Sequence, residues 1–482
     1  MVCTTLSRNG YKIKKNELSQ KELKTLKNDL TVNPYVVGDF GNGNEKRFSL
    51  YMESPNSLYI PRFYAFDKYG SPDKSKMDEG QDINIPFNGS LRKEQIPIID
   101  LYKKACDEKG GGLISLKCGG GKTVLALYII SLLKKKTIVV VHKDFLMTQW
   151  RDRITQFLPN ARIGKIQQNT IDIENKDIVL AMVQSLSQKE YDPIVFSSFG
   201  LAVFDECHHL GAEVFSKSMA KVASKYMLGL SATPDRKDGL RKVFEWFIGP
   251  MVYSSKTDVN KDFIETRIYE YDNDDITYNK LELGYNKKPC MPRMINNISD
   301  CIHRNNFINE IVKTEYETGR KILVLGDRRE YLNRTENWIK ENINHDIVGQ
   351  YVGGMKPAEL RDSQEKDIIL GTYSMASEGM DIPKLNTIVL ASPKSDVVQS
   401  VGRILREKAS VRKFHPLVID FIDVHPNLGV FSKQCDKRIA FYKKSNHVIH
   451  VYKTDGSKEK IEKRKPRKKK ELHEIKECLI LD

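Results

Sequence analysis

Five short, almost wholly apolar runs recur between Leu91 and about Pro250: Gly112–Leu116, Ile138–Val141, Ile178–Ala181, Leu201–Phe204 and Met227–Leu230. They do not alternate apolar with polar residues, and helical patterns separate them. A strand with one wet face alternates; continuous hydrophobicity at this length requires burial on both faces. The pattern therefore predicts an α/β fold, with parallel strands in a sheet flanked by helices. Residues with chemical potential follow the ends of several runs: Lys122, Gln184, Asp205 and Ser231. Open α/β sheets place their ligands at the carboxyl ends of the strands. A second set of runs, Ile322–Gly326, Ile368–Gly371, Thr387–Ala391 and Leu417–Phe421, predicts a second domain of the same class.

A chain of 482 residues exceeds what one hydrophobic core usually supports. The expected organisation is a small strand-rich accessory domain over residues 1–85, a first parallel-sheet domain over 86–252, and an inter-domain segment of lower order over 253–295. A second parallel-sheet domain follows over 296–452, then a basic, disordered tail over 453–482. The accessory segment carries aromatic and basic residues, including Tyr59, Arg62, Phe63 and Tyr64, which suit either core packing or a grip on nucleic acid. Net charge is +15, and it is uneven: Lys453–Lys470 holds ten Lys/Arg against three Asp/Glu, a net of +7, leaving +8 for the rest. Such a balance favours polyanions. The string Lys463-Arg464-Lys465-Pro466-Arg467-Lys468-Lys469-Lys470 reads as a nuclear import signal, a nucleic-acid tether or a solvated tail.

The longest apolar run, Thr123–Leu133, is too short to span a membrane, so no membrane partner is expected. Met1–Lys15 has no apolar core of a secretory signal. Eight cysteines are scattered singly without a CxxC pair, which argues against a zinc site or disulfide framework and for an intracellular, reducing compartment.

Cys118-Gly119-Gly120-Gly121-Lys122-Thr123 stands between the first run and an apolar helix from Val124 to about Leu133. Glycines let backbone N–H groups face a phosphate, and a helix N-terminus behind them adds its dipole. Lys122 would neutralise the β and γ phosphates of ATP, and the Thr123 hydroxyl would ligate Mg²⁺. The pattern GxxxxGK[ST] has one departure, since Leu116 stands where the first glycine belongs. Downstream, Asp205-Glu206-Cys207-His208 closes a buried strand. Two adjacent acids at such a tip cost several kcal/mol without a cation or donors. Mg²⁺ on Asp205 answers that cost and leaves Glu206 to orient or deprotonate the attacking water. Arg403 and Arg406, with Gln399 beside them, offer positive charge for the transition state from the second domain.

These elements, in this order over about Leu91–Leu417, resemble the superfamily 2 helicases of the DExH type. Leu91-Arg92-Lys93-Glu94-Gln95 looks like the LRxxQ element, which implies that Gln95 reads adenine. Leu116–Thr123 looks like motif I and Asp205–His208 like a DECH form of motif II. Ser231-Ala232-Thr233 looks like motif III, Thr372 with Gly379 and Asp381 like motif V, and Gln399–Arg406 (QxxGRxxR) like motif VI. The resemblance implies two tandem RecA-like domains that clasp ATP, with Gly379 and Asp381 at the nucleotide. It also implies that His208, Ser231 and Thr233 couple hydrolysis to movement, and that Gln184, Thr372 and the Val141-His142-Lys143 region meet nucleic-acid phosphates.

Within the superfamily the chain is similar to XPB-like and to poxvirus or large-DNA-virus transcript-release helicases. The cues are Leu116–Gly121, the string through His209, and Leu230–Pro234 followed by Arg236-Lys237-Asp238-Gly239. XPB favours Arg-Glu-Asp where this chain has Arg236-Lys237-Asp238. The implied activity is an ATP-dependent DNA helicase or translocase on single- or double-stranded DNA, with RNA or a DNA–RNA hybrid as alternative substrate. Transcription machinery is the implied partner, and a virion or viral factory the implied location. A nucleic-acid-binding structural protein with a vestigial ATPase, or a P-loop kinase, stands as the reading from another class.

Overall fold

The computed structural model describes residues 4–33, 47–116, 119–206, 212–231, 241–255, 263–378, 380, 382, 384–407 and 411–461. Two compact units divide the chain. The first comprises Met1–Asp258, Gly353–Arg361 and Ser374–Pro383; the second comprises Val259–Val352, Asp362–Tyr373 and Lys384–Asp482.

The first unit holds an eight-stranded sheet in the order Thr170–Asp172, Ile163–Gln167, Ile178–Met182, Thr137–Val141, Leu201–Phe204, Tyr226–Ser231, Gly111–Ser115, Met251–Ser254. Every pairing is parallel except that of the first edge strand. All five predicted runs are strands of this sheet, and successive residues enter two different cores. Ile138, Val140, Ala202 and Phe204 pack on one face with Phe215, Phe244 and Ile248. Val139, Val141, Leu201 and Val203 pack on the other with Leu125, Ile129 and Trp150. That division is why the runs never alternate.

The second unit repeats the plan with Val348–Tyr351, Ile368–Thr372, Ile322–Gly326, Thr387–Leu390, Leu417–Asp423, Glu265–Tyr271, Val448–Tyr452 and Lys458–Ile461, parallel except for the last pair. The architecture is mixed α/β with two large, mostly parallel sheets and a small N-terminal strand region, matching tandem RecA-like domains. Among the described residues no helix is long and apolar enough to cross a membrane.

Two expectations need correction. The interval 253–295 is not wholly of lower order, because Glu265–Tyr271 is an interior strand of the second sheet. Its residues alternate: Thr266 and Ile268 are buried, while Glu265 and Arg267 lie on the other face and pair with each other, with Glu315 and with His415. A charged network satisfies that face, so the strand lacks the apolar run used to find the others. The tail also begins later than residue 453, because Lys458–Ile461 folds back antiparallel on Val448–Tyr452. Gly456, at φ +83, makes the turn. Lys458 of this strand lies 5.0 Å from the Tyr452 ring. Residues 462–482, including the basic string, lie outside the described residues.

The N-terminal region is a five-stranded sheet ordered Met52–Glu53, Ser57–Ile60, Gly10–Lys14, Thr4–Ser7, Lys74–Ser75. Its inward side chains join the first unit's core through Tyr11, Ile13, Leu58 and Ile60. Arg62 and Phe63 are core residues: the Arg62 guanidinium donates to the Ser224, Lys225 and Gly110 carbonyls. Tyr64 stacks edge-on against Trp246 and donates to Asp29.

Two buried ion pairs anchor the second unit. Arg304 binds Asp423 at 2.6 Å and Arg438 binds Asp420 at 2.8 Å, all four side chains at most 2% exposed. Removing one partner strands a buried charge, so Arg438→Ala should cost about 3–5 kcal/mol of unfolding free energy in denaturant melts. A second test concerns pH. Burial holds the His447 imidazole neutral, its pKa pushed down to about 4 from 6.5, while the ring stacks on Tyr442 and bonds Thr266 Oγ1 at 2.7 Å. The unfolded chain therefore binds a proton below about pH 6.5 that the folded chain refuses down to about pH 4. This contribution is whole above pH 6.5 and shrinks as pH falls, by up to about 3 kcal/mol. Melts across that range should show the decline, and His447→Gln should flatten it.

Candidate active site

The Gly111–Ser115 strand is buried throughout and leads through Leu116 to the glycines and the Lys122–Leu133 helix. Leu116, the departure from the glycine pattern, is 6% exposed in the core, and its N–H donates to the Ser231 carbonyl at 3.0 Å. A side chain fits there because it points into the sheet's own packing. Gly119 and Gly121 both adopt φ +77, which L side chains resist. A Cβ on Gly121 would also lie 2.6 Å from Gln95 Nε2.

Gln95 is 2% exposed and spends its amide on this loop. Nε2 donates to the Gly120 and Gly121 carbonyls at 3.1 and 3.3 Å, and Oε1 accepts from the Arg92 N–H at 2.9 Å. Arg92 Nη1 donates to the Gly119 carbonyl at 3.0 Å. Three successive loop carbonyls are thus engaged by the Leu91–Gln95 element. Arg92 was not among the predicted site residues.

At the tip of the Leu201–Phe204 strand, two strands away in the sheet, Asp205 is 6% exposed and its N–H donates to the Val140 carbonyl at 3.1 Å. Its Oδ2 accepts from Trp150 Nε1 at 2.8 Å. Burial first, and the adjacent Glu206 second, push its pKa up to about 6 against the pull of Lys122 and Trp150. Glu206 sits at φ +47, uncommon for a non-glycine residue, and its Oε1 lies 2.5 Å from Lys122 Nζ. The two predicted catalytic groups are therefore an ion pair, each side chain 13–16% exposed. Trp150, on the Asp144–Phe157 helix, was not predicted; nothing in its apolar helical spacing separates it from ordinary core.

Burial strips water from the Asp205 carboxyl, and the Glu206 carboxylate beside it adds like charge. A divalent cation fits there, with Asp205 and the half-buried Thr123 as the available ligands. Gln184, at the start of the Val183–Gln188 helix, donates from Nε2 to the His142 carbonyl at 2.8 Å. Ser231 ends its strand at 5% exposure.

In the second unit, Thr372 ends the Ile368–Thr372 strand. Gln399 lies on the Val398–Val401 helix, followed by the Gly402–Leu405 turn with buried Arg403 and then half-buried Arg406. The connection from the Thr387–Leu390 strand to this helix is held by residues the sequence did not flag. Arg304 Nη1 donates to the Ala391 carbonyl at 2.8 Å and Arg438 Nη1 to the Lys394 carbonyl at 2.6 Å. The Tyr373 hydroxyl donates to the Ser392 carbonyl at 2.7 Å. Cys118, His208, Thr233, Gly379 and Asp381 lie outside the described residues.

Comparison with known proteins fits this architecture. Residues 88–236 match the family described as the type III restriction enzyme res subunit. A protein of Acanthamoeba polyphaga mimivirus, provisionally named an ATP-dependent RNA helicase, is 37% identical over 93% of this chain and 87% of its own. A DNA 3'-5' translocase (XPB2) of Sulfurisphaera tokodaii is 33% identical over 39% of this chain and 42% of its own. The structure of a fragment provisionally assigned as the HsdR subunit of a type I restriction enzyme from Vibrio vulnificus superposes with a TM-score of 0.52, at 18% identity, over 77% of this chain and 71% of that one. With its tandem parallel sheets, phosphate-loop lysine and paired acids, the chain belongs to the superfamily 2 helicases, close to the XPB-like and viral members.

Proposed function

We propose that this protein is an ATP-driven motor that moves along DNA or unwinds it. The observation that carries the reading is the group formed by Lys122, at the start of its helix, with Asp205 and Glu206, at the end of the Leu201–Phe204 strand. In this reading the β and γ phosphates of ATP draw Lys122 away from Glu206. The freed carboxylate then orients and deprotonates the attacking water. Thr123 and Asp205 hold Mg²⁺, which supplies neutralising charge to the phosphates when bound. Cys118, Gly119, Gly120 and Gly121 line the phosphates, Gly379 and Asp381 meet the nucleotide, and Gln95 turns from the loop carbonyls to adenine.

Arg403 and Arg406 supply positive charge to the transition state and Gln399 a neutral amide donor; an arginine finger is worth roughly 10³–10⁵ in rate. Gln184 and Thr372 grip backbone phosphates, contacts that carry no sequence information and so suit translocation. His208, Ser231 and Thr233 link that grip to hydrolysis. DNA is supported by the likeness to the archaeal translocase, while the +15 charge suits either nucleic acid; transcript release in a virus is the pathway proposed. One observation favours RNA instead: the mimivirus relative carries that name.

Glu206→Gln should lower ATP turnover at least about a hundredfold while nucleotide binding persists. Arg406→Ala should lower it roughly a thousandfold without changing the melting temperature. Near-normal turnover in either variant removes its assigned role. ATPase and strand-displacement assays on DNA, RNA and hybrid duplexes with 3′ or 5′ overhangs, at matched salt, decide between the substrates. Stronger stimulation by DNA is the expected result; stimulation by RNA alone transfers the motor to RNA.

A further inference from the structure

The outward face of the N-terminal sheet has a composition that its register makes visible. Met52 pairs with Tyr59, Tyr59 with Lys12, Lys12 with Thr5, and Thr5 with Lys74. Directly opposed residues project on the same side of a sheet, so these five side chains form one row. At roughly 4.8 Å per strand the row is about 19 Å wide. The opposite face carries Leu6, Tyr11, Ile13, Leu58 and Ile60 into the core, which leaves this row outside. Met52 is 46% exposed, Lys74 is exposed, and Thr5, Lys12 and Tyr59 are half-exposed.

Charge on this face is one-sided. Lys12 and Lys74 lie in the row, Lys14 lies one position along its rim, and no strand residue projecting on this side is acidic. Elsewhere in the segment Arg8, Lys15, Lys27 and Lys68 each reach an acid within 4.0 Å. Among the described residues Lys12 and Lys74 enter no ion pair, while Lys14 reaches Glu17 at 3.6 Å. The neighbouring aromatics Phe63 and Tyr64 are committed to packing, and Tyr59 is the one of that group left on the open side. A half-exposed aromatic ring with one unpaired cation on the next strand and a second two strands further along is an arrangement that can stack an unpaired base and hold phosphates on one side of it.

We infer that this sheet face is a second nucleic-acid contact outside the motor motifs, taking a single strand with a base on Tyr59 and phosphates on Lys12 and Lys74. The inference rests on the proposed action on nucleic acid and adds to it a grip that does not depend on the ATP cycle. The strand stays tethered through steps in which the motor halves let go, so fewer cycles end in loss of the track.

The test uses the full chain, with fluorescein-labelled oligo(dT), alone or annealed to oligo(dA), followed by anisotropy over a salt series. Lys12→Gln/Lys74→Gln should weaken single-strand binding roughly tenfold and shrink the slope of log affinity on log salt by about 1.4, two phosphate contacts at about 0.7 each. Tyr59→Ala should weaken the single strand by roughly five- to a hundredfold and leave the duplex unchanged, while Tyr59→Trp keeps the affinity. Basal ATPase without nucleic acid should stay at the wild-type rate in all of them. A wild-type affinity and salt slope in the lysine double variant, or single-strand affinity untouched by Tyr59→Ala, overturns the inference. A wild-type chain that binds the oligonucleotide through this face yet hydrolyses no ATP would defeat the motor reading and leave the sheet contact standing.

Discussion

Burial of each sheet on both faces is the constraint from which the site follows. A strand such as Leu201–Phe204 sends alternate residues into two cores and keeps no edge for chemistry along its length. Polar function is therefore pushed to the strand tips, where the backbone turns out of the sheet. Asp205, Ser231 and Leu116 stand at such tips, tied to their neighbours by the Asp205 N–H on Val140 and the Leu116 N–H on Ser231. Parallel pairing aligns those tips on one side, so three separate stretches of sequence meet. The Lys122–Glu206 pair closes across that gathering at 2.5 Å.

The electrostatics of this corner are arranged around a charge that the protein itself supplies incompletely. Lys122 balances Glu206, and Trp150 gives Asp205 a single N–H, yet burial still raises the Asp205 pKa to about 6. A fold selected for stability alone would place an apolar residue there. The positive φ of Glu206 adds a local backbone cost of the kind that persists where surrounding structure over-determines it. Both costs fall on the two adjacent acids that close the Leu201–Phe204 strand, Asp205 and Glu206.

Much of the scaffold was legible because its signal was physical and local. Continuous apolar runs located nine interior strands, and the glycines with Lys122 located the loop. Glu265–Tyr271 escaped because an ion network, not apolar packing, covers one of its faces, and Lys458–Ile461 escaped because a strand made of Lys-Glu-Lys-Ile looks like a solvated tail. Arg92 and Trp150 were illegible for a different reason. Their partners are backbone carbonyls of the loop and a carboxylate 55 residues away, relations that exist only once the chain has folded. The N-terminal residues Arg62 and Phe63 read in sequence as core more than as grip, and the Ser224, Lys225 and Gly110 carbonyls on Arg62, with the burial of Phe63, place them in the core.

The second unit solves a different problem, that of holding an arginine-bearing turn without a nucleotide loop of its own. Two acids on one strand, Asp420 and Asp423, are buried and matched by Arg438 and Arg304. Apolar residues of similar volume would often serve stability equally well, so stability does not explain the pairs. Direction does. Each guanidinium has donors left after meeting its acid, and each sends one to the connection before Gln399, to Ala391 and Lys394. A hydrophobic plug would fill the same space and leave those carbonyls to choose their own partners. The ion pairs thus convert buried charge into a fixed path for the chain that carries Arg403 and Arg406.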